Sequence, residues 1–445
     1  MKNKISFIGL GKLGLPLSTL FAKNEIEVIG IDKNKELIEK LNNNQIPFYE
    51  ADLEKNLGLA KGNITFTTKY DRINETDVSI ILVNTQIDDT YSTSIVESVL
   101  KSICEQLNKS DKYHLIILSS TVMPGDIRGK LIPLIERNTN RKLGIGFGFS
   151  YVPDIVKLGS VIYDFENPDV IIIGSSDKKS STETKHLYQS IPNYLSNNTP
   201  TLEMTIEEAE ISKISLNAYL VSKISFGNFI SNLCEDVQNV NVDNITNAIG
   251  FHKPIGHKFL KGGLGFGGTC FPRDTKAFIE FSTSIGHNAR HIVATDQIND
   301  YQHKNLFRKV MNYDKQSISI LGLSFKPNTP VIKQSASMKL VDGLIKAGKI
   351  VNLYDPLCID EVKKSLSDFP YNKMKSLPII NYCDNIKECF QAGEVVVVCL
   401  PDKIYSDIKD DWKSFDEQII LDCWRILDPN TFEKIKYNSL GERYE

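Results

Sequence analysis

Short unbroken apolar runs, rich in β-branched residues, alternate along this chain with longer stretches whose apolar positions recur at helical spacing. The first residues, "KISFIGLGKLGLPLSTLFAKNEIEVIGID", predict a strand, a glycine turn, a helix to about Lys23 and a second strand. Further strands are predicted at "DVSIILVNT" (77–85), "HLIILSST" (114–121), "LGIGFGFS" (143–150) and "DVIIIG" (169–174), with helical connections between several of them. That alternation predicts a mostly parallel sheet covered by helices. From Leu202 to Asn239 the pattern is helical and free of proline, which predicts a long spine joining domains rather than a surface helix. A second α/β block opens at Ser317 with "SISILGLSFKPNT". A helix follows, with Gly348 placed to end it, and then strands at "IVNLYDP", "EVVVVCLP" and "IILDCW". The polar run from Asp360 to Lys375 reads as a solvated helix and loop.

Composition narrows the picture. At 445 residues the chain exceeds what one hydrophobic core usually spans, so two or three domains are expected. A net charge of -3 argues against a general nucleic-acid or membrane-surface binder and leaves room for a local basic pocket. The eight cysteines are scattered without a CxxC pair, which fits a reduced, cytoplasmic protein and neither a disulfide framework nor a metal site. The basic tip and apolar run at the start imitate a signal peptide, but Lys12 interrupts the run and the glycines are regularly placed, so folded structure is expected. No uninterrupted apolar stretch reaches the roughly 20 residues that span a bilayer.

Candidate chemistry begins at the first turn, where Gly9, Gly11 and Gly14 form GxGxxG inside a βαβ unit and Asp32 ends the second strand. Gly9 permits the tight turn, Gly11 lets a pyrophosphate approach the helix N-terminus, Gly14 lets helix and sheet pack, and Asp32 can accept hydrogen bonds from a ribose diol. The acid disfavours a 2′-phosphate, so NAD is expected over NADP. The block after Ser317 lacks GxGxxG and can share the Rossmann-like plan without holding a dinucleotide. Two such doubly wound α/β domains joined by a long central helix is the fold class expected.

"GFGGTCFPRD" (265–274) sets Cys270 behind a run of glycines and four residues before Asp274. The glycines suggest backbone pressed against something bound; the plainer alternative is a turn-forming linker with a buried thiol. A helix starting at Cys270 would favour a thiolate there. Lys213 and Asn217 share one face of the long helix, which is also what a solvated face would show. "SSTVMPG" puts Thr121 at the end of a strand, on the edge where such sheets bind ligands, or else as a helix cap.

These segments, with "EEAEISKISLNAYL", "KFLKGGLGFGGTCFPRDT" and "GLSFKPNT", occur in an order that resembles the UDP-glucose/GDP-mannose dehydrogenase family over almost the whole chain. The resemblance implies an NAD-binding Rossmann domain over 1–200, a central helical dimerisation region with the cysteine loop over 201–300, and a nucleotide-sugar domain over 301–445. It implies a four-electron oxidation of a hexose C6 alcohol to an acid, with Cys270 the nucleophile that carries a thiohemiacetal and then a thioester. UDP-glucose is the leading substrate; UDP-N-acetylhexosamine and GDP-mannose are the rivals, and a nucleotide-binding protein without turnover is the alternative of another class. Lys213, Asn217 and Thr121 match positions that stabilise oxyanions and place water, and Asp274 matches the partner in proton handling. Cofactor contacts are implied for Gly9, Gly11, Lys12, Leu13, Gly14, Asp32, Thr85, Thr121 and Lys333. Substrate contacts are implied for Lys213, Asn217, Phe259, Leu260, Lys261, Gly267 and Lys326. A homodimer through the central helix is the implied partner.

The chain departs from the family in places. Where relatives carry "NPEFLREG" this chain has "VPDIVKLG", so Asp154 stands for the first glutamate and Leu158 for the second. Leucine cannot activate a hydrolytic water; the resemblance offers Asp154, reaching through a water, as a candidate for that role. "PVIKQS" replaces "DDIRES", so Lys333 stands for an arginine and loses its bidentate geometry. Pro254 takes the place of a substrate arginine, with His257 and Lys258 close by in sequence.

Overall fold

The computed structural model describes residues 4–87, 90–191, 199–367 and 379–443. Two compact units divide the chain, residues 1–216 and 217–445. In the first unit the strands are β1 Lys4–Ile8, β2 Glu27–Ile31, β3 Ile64–Thr67, β4 Val78–Ile81, the short pair β5 Gln86–Ile87 and β6 Thr90–Tyr91, β7 His114–Leu118, β8 Phe147–Tyr151, β9 Ile171–Ser175 and β10 Thr201–Met204. Its main sheet runs β10-β9-β8-β7-β4-β1-β2-β3. The strands from β3 to β8 are parallel, and β9 pairs antiparallel with β8. Helices cover both faces, which is why the strands read as unbroken apolar runs: Ile5 and Phe7 join one core cluster while Ile8, on the opposite face, joins the other.

The second unit repeats the plan with β11 Ser317–Leu321, β12 Ile350–Tyr354, β13 Ile380–Tyr382, β14 Val395–Val398, β15 Ile419–Asp422 and β16 Lys436–Ser439. Its all-parallel order is β13-β12-β11-β14-β15-β16. In each sheet the strand order reverses beside the first strand, and ligands of open α/β sheets bind at such a switch point. The correspondence reaches single bonds. Gly9 N donates to Ile31 O and Gly322 N to Tyr354 O, both at 2.9 Å. Asp32 Oδ2 accepts from Leu10 N at 2.8 Å, as Asp355 Oδ2 does from Leu323 N at 2.8 Å.

The long helix spans Ile206–Asp236 and passes from the first unit into the second. It starts later than its apolar pattern suggests, because Thr201–Met204 adds a parallel strand to the sheet edge. Thr205 and Glu208 then form a capping box: Thr205 N donates to Glu208 Oε2 at 2.8 Å and Glu208 N to Thr205 Oγ1 at 3.3 Å. The other end stops short of Asn239, whose φ of 60° lies in the left-handed region. The strand expected over 143–150 begins only at Phe147; before it the chain turns, with Gly144 N donating to Phe147 O. Of the Asp360–Lys375 run, the helix Ile359–Ser367 is observed, and 368–375 lies outside the described residues.

Candidate active site

At the first turn φ is +97° at Gly9, and a side chain on Gly14 would collide with Gly9 O, so both positions are closed to other residues. Gly11 differs. Nothing stands within 4 Å of where its Cβ would be, so the backbone there faces open space at the start of the helix Gly14–Lys23. Asp32 is fixed beside it: its carboxylate accepts from Leu10 N at 2.8 Å and Asn34 N at 2.9 Å and stays partly exposed. In the second unit Asp355 is 3 % exposed and accepts from four backbone N–H groups, those of Leu323, Ser324, Leu357 and Cys358. That carboxylate is saturated by its own chain and has no capacity to read a ribose.

Thr121 lies in the turn after β7 and caps no helix; the helical turn that follows is preceded by Asp126. Ser120 Oγ instead ties the turn to Val83, accepting from its N–H and donating to its carbonyl, both at 2.8 Å. Glu210 of the long helix is fully buried and accepts from Gly125 N at 2.7 Å and Ile127 N at 3.1 Å, anchoring the "VMPGDI" segment. Burial pushes its carboxyl up to about 7, against the opposing pull of those two N–H groups. One turn on, Lys213 is 8 % exposed and its Nζ donates to Asp154 O. The Asp154 carboxyl is held up at about 7 by burial, with Lys213 pulling the other way, and its Oδ2 is shut from solvent without a hydrogen-bond partner. Leu158 packs against the apolar cluster beneath the sheet.

In the second unit the helix Cys270–Ser284 begins at the cysteine itself. All eight cysteines are free, and Cys270 alone is exposed, so the linker with a buried thiol is excluded. One turn along the helix, Asp274 is 1 % exposed. Asn217 Nδ2 donates to its Oδ2 at 2.6 Å and Arg273 Nε to its Oδ1 at 2.7 Å. Asn217 is 6 % exposed, so neither it nor Lys213 sits on a solvated face. The glycines before Cys270 also have close neighbours within the protein itself. Side chains at Gly263 and Gly267 would run into Trp424 and Gln334 O, so the loop is pressed against its own unit. Gly268, at φ +83°, donates its N–H to Lys333 O at 3.0 Å.

Three family models match in series: the NAD binding domain of the UDP-glucose/GDP-mannose dehydrogenase family over residues 3–192, its central domain over 207–301 and its UDP binding domain over 319–429. A UDP-glucose 6-dehydrogenase of Bacillus subtilis, TuaD, is 34% identical over 378 residues, 82% of this chain and 78% of that protein. The chain belongs to the UDP-glucose/GDP-mannose dehydrogenase family. A UDP-glucose 6-dehydrogenase of Haloferax volcanii is 29% identical over 98% of this chain and 100% of its own length, and a GDP-mannose 6-dehydrogenase of Pseudomonas putida is 29% identical over 79% and 80%. A UDP-glucose dehydrogenase structure from Pyrobaculum islandicum superposes with a TM-score of 0.88 at 26% identity, covering 98% of this chain and 97% of that one.

As a member of this nucleotide-sugar 6-dehydrogenase family the chain uses NAD, and the first unit fits it. Gly11 leaves an uncovered backbone at a helix N-terminus for a pyrophosphate, and Asp32 keeps an accessible carboxylate for a ribose. Lys12 is exposed beside them, whereas Leu13 packs against the core and Thr85 is buried. Of the positions matched to substrate contacts, Phe259 is held at φ 64° with its ring edge-on to Phe271, Leu260 is buried, and Lys261 is exposed. Lys326 stands 5.9 Å from the Phe325 ring centre. His257 packs edge-on against Phe251. Sequence reasoning missed Arg273, Glu210, Asn228, Asn299 and Gln302. Their signal was polar residues recurring on the core face of a helix, as in the N-x-x-Q of Asn299 and Gln302.

Proposed function

We propose that this enzyme oxidises the C6 alcohol of UDP-glucose to the carboxylate, giving UDP-glucuronate, with Cys270 as a covalent nucleophile. The observation that carries the reading is the one exposed thiol at the first residue of a helix, a turn away from a buried Asp274 held by Asn217 and Arg273. NAD, when bound, supplies hydride uptake, two equivalents for the four electrons. Cys270 Sγ adds to the aldehyde carbon, forming a C–S bond and a thiohemiacetal that cannot diffuse away. Asp274 takes the thiol proton, by way of the Asn217-held carboxylate. At the thioester stage water adds to the carbonyl carbon, the C–S bond breaks, and the thiol and the acid are released. Asp154 is the base for that water, since a carboxyl near 7 is half-ionised at neutral pH and its Oδ2 has an open hydrogen-bonding position. Lys213 supplies positive charge for the developing oxyanion, and Thr121 steadies the water. Two of the named relatives, from Bacillus subtilis and Haloferax volcanii, are UDP-glucose 6-dehydrogenases, and the third family domain is a UDP binding domain.

The test is the NADH formed per sugar over UDP-glucose, UDP-N-acetylglucosamine, UDP-N-acetylmannosamine and GDP-mannose, with Cys270→Ser in parallel. Two NADH from UDP-glucose alone is expected. Preference for an N-acetylated or GDP sugar would reassign the substrate, a single NADH would mean arrest before the acid, and none would favour a binding protein without turnover. Acid made at full rate by Cys270→Ser would refute the covalent route.

The working form is proposed to be a cytoplasmic homodimer. The part of the long helix in the second unit carries its apolar residues outward: Tyr219, Phe226, Phe229 and Leu233, at spacings of one face, are 46 to 64 % exposed, while Ser225, Asn228 and Ser231 are buried. With Ile298 and Tyr301 of the helix Arg290–Asn312, Phe229 and Leu233 line a groove that a second copy would fill.

A further inference from the structure

The segment from Gly262 to Phe266 leads to Cys270 as a buried strap outside any helix or sheet, so its backbone N–H and C=O groups need partners from elsewhere. Side chains supply them. Asn228 Oδ1 accepts from Gly263 N at 2.9 Å while its Nδ2 donates to Leu264 O at 3.1 Å. Asn299 does the same one step on, accepting from Phe266 N at 2.7 Å and donating to Phe266 O at 3.2 Å. Gln302 Nε2 donates to Gly263 O at 2.5 Å and Arg425 Nη2 to Gly262 O at 2.7 Å. The three carboxamides are at most 3 % exposed. Each asparagine thus gives the strap what a neighbouring strand would, one donor and one acceptor side by side.

Asn299 holds the end nearest the chemistry. It reaches Phe266 because residue 265 is glycine: a Cβ there would lie 2.5 Å from Asn299 Oδ1 and 2.7 Å from His303 Cε1. The Phe266 ring meets Phe271, the neighbour of Cys270, edge-on at 6.3 Å between centres. Between Phe266 and the helix only the Gly267–Gly268 turn and Thr269 intervene. We infer that Asn299 is a positioning residue, locking the strap so that Cys270 Sγ stands at one place in front of its helix. The inference rests on Cys270 being the nucleophile, and such a step is sensitive to displacements of about 1 Å. A merely structural asparagine would affect the whole fold; this one acts on a single thiol.

The test uses the full-length enzyme. Asn299→Asp keeps the acceptor for Phe266 N and sets a second oxygen against Phe266 O; Gly265→Ala disturbs the same lock with Asn299 intact. Both are expected to lower kcat about tenfold or more, to leave the KM for NAD within about twofold, and to change the iodoacetamide alkylation rate of Cys270 about threefold or more. One thiol per chain should react throughout, identified by its loss in Cys270→Ser. An unchanged alkylation rate in both variants overturns the inference, and so does a change that comes with labelling of the seven buried thiols, which marks general loosening. Because alkylation is read without turnover, a lost lock on Cys270 is told apart from a failure of the covalent reading, which Cys270→Ser tests by itself.

Discussion

Two carboxyls of the first unit, Asp154 and Glu210, are both held near 7 by burial, yet their surroundings give them different tasks. Glu210 spends both oxygens on backbone N–H groups, whereas Asp154 keeps Oδ2 without a partner. Asp154→Asn is therefore expected to slow acid release about 100-fold and to let enzyme thioester accumulate, observed as added mass on the intact protein after a substrate pulse. Release at the wild-type rate would mean another group activates the water. Glu210→Gln tests stability. A folded-state value raised from 4.5 to about 7 stabilises fully below 4.5, and that contribution is lost as pH climbs to about 7. The glutamine variant should show a flatter dependence of unfolding free energy over that interval, by up to about 3 kcal/mol, in urea melts at several pH values. Parallel curves for the two proteins would show that Glu210 is already charged at low pH.

Among the elements, the glycine turn separates binding from folding. Gly14→Ala drives a methyl into Gly9 O and is expected to cost about 1–3 kcal/mol of stability. Gly11→Ala meets no atom of the protein, so the melting temperature should hold while NAD affinity drops; calorimetric melting and NAD titration on the same samples check both. A lower melting point for Gly11→Ala would show that the open side is not open. This turn was legible in the sequence because its glycines, the flanking strands and helix, and Asp32 all lie within one short stretch of chain. The loop before Cys270 was only half legible. Its glycines were visible, but what they lie against, Trp424 and Gln334, is far away in the chain and no local pattern points to it. The start of the long helix was misplaced for a similar reason. "TLEM" has an apolar pattern compatible with helix, and pairing with β9 makes it a strand, although Thr205 and Glu208 spelled the capping box.

At the scale of the whole molecule, two sheets of like strand order differ in one decisive respect: Asp32 is available to a ligand and Asp355 is consumed by four N–H groups. One NAD per chain is expected by titration calorimetry, and two would show that the second turn also opens. The outward apolar face of the long helix leads to the expectation that Phe229→Glu with Leu233→Glu yields monomers by light scattering; a persistent dimer would place the interface elsewhere. The α/β class and its doubling could both be read from strands alternating with helices on either side of the long helix, while the bond-for-bond likeness of the two first turns could not, because "GLSFKP" shares little with "GLGKLG" beyond the first glycine and leucine. Cysteine distribution has a practical result. With the other seven sulfurs buried, hydrogen peroxide is expected to reach Cys270 first and to convert it to a sulfenic acid that dithiothreitol reverses, until further oxidation makes the damage permanent.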